Sequence, residues 1–396
     1  MSDETKASAT VSDYLRWRGD LTFAQDGFNE VDNLLLCIIS YIKLENIPRL
    51  RSFDPQDAMP MGDVCRLLTE EDEQLGLSTL DYIPLMRQAA ETPRFRDVSL
   101  FAFESLHDED RQMQFAAVSF LLPDGSVYAA YRGTDMTIVG WQEDFNMSFL
   151  SAVPAQVKAA EYAGAVARAC PRRPLRIGGH SKGGNLAAWA AVHLDEKLQR
   201  QRLIAAYNND GPGFSRDLVN EPCYQAVADR LFTFIPASSI VGVLLEHAED
   251  YEVVDSTARS IMQHEPLSWC VEGPRFVHLG QRSQLGQLSD GVLREWIGSM
   301  SSQEREQFSR AFFDILSRGG RTKTLEDLRS GGLAAGAALL REYAGADEEK
   351  KKIISEIFRR LAVDVKDELM KAAGAGVRRA GESILATGQA IADLRK

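Results

Sequence analysis

The pentapeptide Gly179-His180-Ser181-Lys182-Gly183 sets a serine between two glycines in a G-x-S-x-G spacing. A serine hydroxyl is a poor nucleophile at neutral pH. It needs a base to take its proton, a group to hold that base, and donors for the oxyanion. A serine between a strand and a helix must also take a sharp, strained turn, and the flanking glycines must lack side chains for the two elements to pack. Pro174 to Ile177 precedes the motif as a short apolar run, and Leu186, Ala187, Ala188 and Ala190 follow as a small, helix-favouring face. The N-terminus of that helix points at any negative charge forming at the hydroxyl. Ser181 is therefore the candidate nucleophile.

The base should be a histidine that follows the serine in the chain, on a loop after the last strand. His264 in Gln263-His-Glu-Pro-Leu-Ser-Trp269 has that position. His107 precedes the serine, and His193 lies on the helix after it, facing away. His180 packs under the turn. His247 and His278 read as surface residues. For the acid, Asp210 ends the first strand after the nucleophile helix, at the carboxyl edge where ligands bind in such sheets. It ranks above Asp255, Glu246 and Asp250, with a turn-forming role before Gly211-Pro-Gly213 as the alternative. The oxyanion donors expected are the backbone N–H of Lys182 and, from the loop Arg132-Gly133-Thr134, the backbone and hydroxyl of Thr134.

The elements that would position these groups alternate. Asn29 caps an apolar helix over 29–43, with Glu30 and Asp32 in its first turn. Leu67 to Met86 has helical spacing. A strand near Phe95–Phe103 begins the sheet, and runs at 113–122 and 126–131 flank Pro123-Asp-Gly125 as a hairpin. A helix over 155–169 precedes the nucleophile strand. Further strands are expected at 203–207, 231–235 and 251–254. The order predicts an α/β fold with a mostly parallel sheet and helices on both faces. Residues 1–12 read as disordered, 13–290 as the α/β domain and 291–396 as an amphipathic helical region. In its last part Ile354, Phe358, Leu361, Val365, Leu369 and later apolar residues recur at three- and four-residue steps.

A net charge of −12 over 396 residues argues against broad nucleic-acid binding. Five scattered cysteines without a C-x-x-C form neither a disulfide framework nor a zinc site. The polar start lacks a signal peptide's apolar core, and no apolar run is long enough to span a bilayer, so the expected location is cytoplasmic. Nothing in the residues calls for a metal or an organic cofactor.

Tyr131-Arg-Gly-Thr, Gly179-His-Ser-Lys-Gly-Gly-Asn-Leu-Ala and Gln263-His-Glu-Pro-Leu-Ser-Trp together resemble the class 3, fungal-type lipases. The chain from about 12 to 280 more closely resembles the Mbeg-like family of bacterial proteins, a domain of unknown function in the α/β-hydrolase group. Asp13-Tyr14, Arg18–Phe23, Phe28–Leu34, Asp210–Phe214 and Ser239–Gly242 carry that likeness. The lipase resemblance implies an α/β-hydrolase fold with Ser181 as nucleophile, His264 as base and Thr134 in the oxyanion hole. It also implies an aspartate where this chain has Ser238-Ser239-Ile-Val, so the acid must come from elsewhere, such as Asp210, or be missing. Lys182 stands where those lipases usually have leucine. It would put a cation at the mouth of the site and open it to an acidic or phosphate-bearing acyl group.

The expected activity is hydrolysis of a carboxylic ester or thioester, of a small molecule or lipid, through a Ser181 acyl-enzyme. The alternative is a catalytically weak or inactive interaction module that acts through its C-terminal helices. Those helices would dock on their own domain or a second copy, or contact a membrane surface.

Overall fold

The computed structural model describes residues 8–69, 82–134 and 138–283, with scattered positions from 286 to 360 that include 299–318 and 350–357. Two compact units share the chain. One comprises Met1–Asp135 and Pro154–Arg282; the other comprises Met136–Val153 and Ser283–Lys396. The segment 136–153 thus groups with the C-terminal region.

The first unit is built on a nine-stranded sheet. Its strands are β1 (Met59–Pro60), β2 (Ser99–Asp108), β3 (Met113–Leu121), β4 (Val127–Tyr131), β5 (Leu175–His180), β6 (Leu203–Asn209), β7 (Leu231–Pro236) and β8 (Tyr251–Val254). Past β8, β9 (Val271–Glu272) and β10 (Arg275–Phe276) pair only with each other, while β11 (His278–Leu279) closes the sheet against β8. The pairings β4–β5, β5–β6, β6–β7 and β7–β8 are parallel; those outside them are antiparallel. The expected hairpin is β3–β4. Its turn is set by Asp124, which accepts from Ser126 N at 2.9 Å, and by Gly125 at φ +85°.

Helices cover both faces, and the alternation of β5 shows which. A Cβ on Gly178 would meet Tyr128 Oη and Asn33 Oδ1, whereas one on Gly179 would meet Gly183 at the start of the next helix. So α2 (Glu30–Ile39, after α1, Val11–Arg18) lies on one face, and α7 (Lys182–His193) lies on the other. Between them in sequence come α3 (Met61–Leu67), α4 (Ile83–Glu91), α5 (Ile138–Asn146) and α6 (Pro154–Ala169). The helix expected over Leu67–Met86 falls largely outside the described residues; its described ends belong to α3 and α4.

The sequence of α2 explains its place. Asn29 caps it by accepting from Val31 N and Asp32 N, and Val31 through Ile39 are all buried. Such an apolar helix can only be a core element. Its acidic first turn also enters the core. Asp32 takes two bonds from Arg94, Nε at 2.7 Å and Nη2 at 2.5 Å, and one from Tyr14 Oη at 2.9 Å. Both charged side chains are fully buried. The remaining Arg94 donors reach the carbonyls of Leu21, Asp26 and Gly27. This one guanidinium therefore ties the lead-in loop to α2 and α4's C-terminal neighbourhood.

In the second unit, α5 packs against the helix Ser302–Arg318. Phe145 and Phe308 rings lie 5.3 Å apart, and Ser309 Oγ donates to Asn146 Oδ1 at 2.8 Å. Met300, Ala311, Ile354 and Ile357 complete that small core. The rest of the C-terminal apolar row, Phe358 and the positions beyond 360, lies outside the described residues. Among the described residues no helix is long and apolar enough to cross a membrane.

Asp32→Ala should leave the Arg94 guanidinium buried without its carboxylate, a loss of about 3–5 kcal/mol. Urea unfolding of the variant beside wild type checks this; a change below about 1 kcal/mol would remove the pair from the supports of α2.

Candidate active site

β5 is the middle strand of the sheet, and Ser181 follows it directly. Ser181 adopts φ +59°, ψ −134°, a conformation costly for any residue with a side chain. Hydrogen bonds on both sides hold it. Its N–H donates to Asn209 O at 3.0 Å, continuing the β5–β6 ladder, and its carbonyl accepts from Gly184 N at 2.8 Å as α7 begins. The helix can start so abruptly because Gly183 presses on β4: a Cβ there would fall 2.2 Å from Tyr131 O. The loop after β4 reaches the serine as well. A Cβ on Gly133 would lie 3.1 Å from Ser181 Cβ, and the next residue, Thr134, is buried.

Asp210 follows β6 at φ +54°, which aspartate tolerates better than most residues. Its N–H donates to Phe234 O at 2.8 Å, and its side chain is wholly buried. Three groups converge on that carboxylate. His264 Nδ1 lies 2.6 Å from Oδ2, Ser239 Oγ donates to Oδ2 at 2.7 Å, and Gly242 N donates to Oδ1 at 3.0 Å. Two of the acids ranked below it are engaged elsewhere. Glu246 pairs with Arg216 at 3.2 Å, and Asp255 accepts from Ser256 N at 2.8 Å. Ser239, in the segment where the lipase likeness calls for an aspartate, is a donor to Asp210.

The loop bearing His264 is pinned from several directions. Trp269 Nε1 donates to Gln263 O at 3.0 Å, and Gln263 Oε1 accepts from Ser238 N at 2.7 Å. His180 Nε2 lies 2.8 Å from the His264 carbonyl, and the two rings are 4.7 Å apart. His180 is therefore the structural histidine expected, and its ring links the elbow to the candidate base. Tyr41 Oη, from just past α2, sits 3.0 Å from His180 Nδ1. Burial, reinforced by the neighbouring His264, pushes the His180 imidazole well below its ordinary pKa.

Two expectations are corrected. Lys182 does not put a cation at the mouth of the site. Its side chain is buried, and Nζ donates to Gln114 O and Gln114 Oε1 on β3, each at 2.8 Å. The first residue of α7 packs against the sheet, so its side chain runs inward, and the case for an acidic acyl group lapses. His247 is not a surface residue either: its side chain is 5% exposed and lies 3.1 Å from Glu249. His193 stacks on Trp189 along α7, away from Asp210 and His264 as expected. His278 is partly exposed between Glu30 and Glu252.

Several supports have roles that the sequence alone did not assign to them. Tyr41, Ser239 and Gly242 reach the site only through folding. Asn209 does so too: its side chain donates to Gly179 O at 2.9 Å and accepts from Asn33 Nδ2 at 2.8 Å. Among the described residues no group of three or more His, Cys, Asp or Glu could hold a metal ion.

A sheet with a parallel centre, helices on both faces and a strand–serine–helix elbow on its middle strand defines an α/β-hydrolase fold. The Mbeg1-like family model matches residues 89–314, more than half of the chain, and the chain belongs to that family. Among solved structures it is similar to a Rhizomucor miehei lipase in its propeptide complex, at 17% identity and TM-score 0.33, covering 44% of this chain and 71% of that one. It is also similar to the Lip2 lipase of Yarrowia lipolytica, at 14% identity and TM-score 0.34, covering 63% and 91%. No curated protein matches it.

The depressed His180 has a consequence for stability. The unfolded chain takes up that proton first, so the contribution is full above about pH 6.5 and is lost as pH falls towards the folded value. Wild type should lose urea resistance between about pH 6.5 and 5 more steeply than His180→Gln. Parallel pH curves for the two proteins would show that His180 does not carry this dependence.

Proposed function

We propose that this chain is a serine ester hydrolase in which Ser181, His264 and Asp210 act as a triad. The observation that carries the reading is the 2.6 Å contact of His264 Nδ1 with a buried Asp210, on loops beside the strained Ser181 elbow. In this reading Asp210 holds the imidazole in the tautomer with its proton on Nδ1, leaving Nε2 free to accept. Ser181 Oγ attacks the acyl carbonyl while His264 Nε2 takes the hydroxyl proton. The backbone N–H groups of Lys182 and Thr134 receive the oxyanion, aided by the N-terminus of α7. Collapse of the tetrahedral adduct breaks the bond to the leaving alcohol or thiol, to which His264 returns the proton. A water, deprotonated by the same imidazole, then releases the acid and restores Ser181.

The substrate class this supports is a carboxylic ester or thioester, with no part in its recognition for Lys182, whose Nζ is bonded to Gln114.

A series of p-nitrophenyl esters from short to long acyl chain, with a fluorophosphonate probe, tests the reading. Ser181→Ala should abolish labelling and lower kcat by about a million-fold where the background allows it to be measured. Asp210→Asn should cost about 10⁴-fold in kcat with the fold retained. Turnover lost in Ser181→Ala alone would move the acid to another residue. Wild type with neither turnover nor labelling would reject the hydrolase and favour an interaction module.

A further inference from the structure

The loops leaving β6 and β7 are stitched together beside the candidate acid. Gly213 N donates to Leu244 O at 2.8 Å, and Phe214 and Glu246 exchange both backbone bonds, at 2.8 and 2.9 Å. Within the second loop Leu245 is held at φ +68°, a conformation a leucine keeps only when its surroundings enforce it. Gly242 comes so near Asp210 that a Cβ on it would fall 2.3 Å from Oδ1.

Both sides of Gly242 are engaged. Its N–H donates to Asp210 Oδ1 at 3.0 Å, and its carbonyl lies 2.8 Å from His247 Nε2. His247 Nδ1 in turn lies 3.1 Å from Glu249 Oε1. His247 thus sets one ring nitrogen against the Gly242 carbonyl and the other against the Glu249 carboxyl. Glu249 also accepts from Thr233 Oγ1 on β7 at 2.5 Å and from Tyr224 Oη at 2.6 Å. Burial alone would raise the Glu249 carboxyl, but these bonds and the facing imidazole hold it below its ordinary value. The side chains of His247 and Glu249 are 5% and 3% exposed.

A buried charge pair is weak support for stability, because desolvation offsets its attraction. This pair is also too enclosed to meet a substrate. What it does contact is the carbonyl of the residue whose N–H holds the candidate acid. We propose that His247 and Glu249 are a positioning pair for the Asp210 carboxylate, acting through Gly242. The inference rests on the reading of Asp210 as the triad acid. Ser239 Oγ and Gly242 N set the two carboxylate oxygens, and the pair fixes the turn that carries both donors.

The test is the double variant His247→Leu with Glu249→Leu, which removes both charges and leaves neither buried alone. Two readouts are taken: kcat and KM on an ester that wild type turns over, and the downfield proton resonance of His264 Nδ1–H. The expected result is a kcat lower by about 10- to 100-fold, with KM within about twofold and the resonance displaced. A folded double variant with kcat within about twofold of wild type and an unmoved resonance would overturn the proposal. Should the double variant not fold, Tyr224→Phe decides by the same readouts. It removes one donor to Glu249, so a severalfold lower kcat and a displaced resonance support the pair, and unchanged values overturn it. Failure of the underlying reading looks different, since Asp210→Asn would then match wild type.

Discussion

Ser181 cannot relax out of its positive-φ conformation because its two peptide groups are claimed by different elements. Its N–H belongs to the β5–β6 ladder through Asn209 O, and its carbonyl belongs to the first turn of α7 through Gly184 N. Such a conformation costs about 1–3 kcal/mol and persists only when the surroundings over-determine it. The surroundings here extend well past the turn. Asn209 reaches back to Gly179 O with its side chain and receives Asn33 from α2, and Tyr128 Oη bonds Asn33 Oδ1 at 2.6 Å. A helix on one face of the sheet therefore braces a turn that opens towards a helix on the other. The small residues of β5 let both approaches happen.

The same strand edge explains where the other groups arrive. In a parallel sheet the loops after successive strands emerge side by side at the carboxyl ends. β6 delivers Asp210, β7 delivers Ser239 and Gly242, and the segment after β8 delivers His264. One strand end supplies the carboxylate and its neighbour supplies two donors to it. The candidate acid stands one strand nearer to the candidate nucleophile than the lipase resemblance implies, and the place of that resemblance's aspartate holds a hydroxyl aimed at the Asp210 carboxylate.

What was legible in the sequence follows the range of the interactions. The elbow is a local device: strand, glycine, serine, glycine and small helix face lie within one short stretch, so its chemistry could be read there. Asp210 and His264 were singled out from chain order and from their places at strand ends, which topology dictates, and the structure brings the two side chains together. The orientation of side chains was not legible in the same way. Lys182 was read as a cation at the mouth of the site because it stands on the elbow where the lipases usually have leucine, yet the first turn of α7 packs on β4 and sends that side chain to Gln114. His247 was read as a surface residue, yet it faces Glu249, whose other contacts, Thr233 and Tyr224, come from distant elements. Tyr41 and His180 are 139 residues apart, and no periodicity links them.

The buried Lys182 also bears on the proposed chemistry. A cation at the first turn of a helix faces the positive end of the helix dipole and is unfavourable there unless acceptors offset it. Gln114 offers two, its backbone carbonyl and its side-chain oxygen. The result is an anchor running from the first residue of α7 to β3, two strands away from β5. On the triad reading, the backbone N–H of this residue is one of the oxyanion donors. A leucine at this position could pack against the sheet but could not bond to β3. The lysine instead ties the donor's own residue to the sheet by two directional bonds.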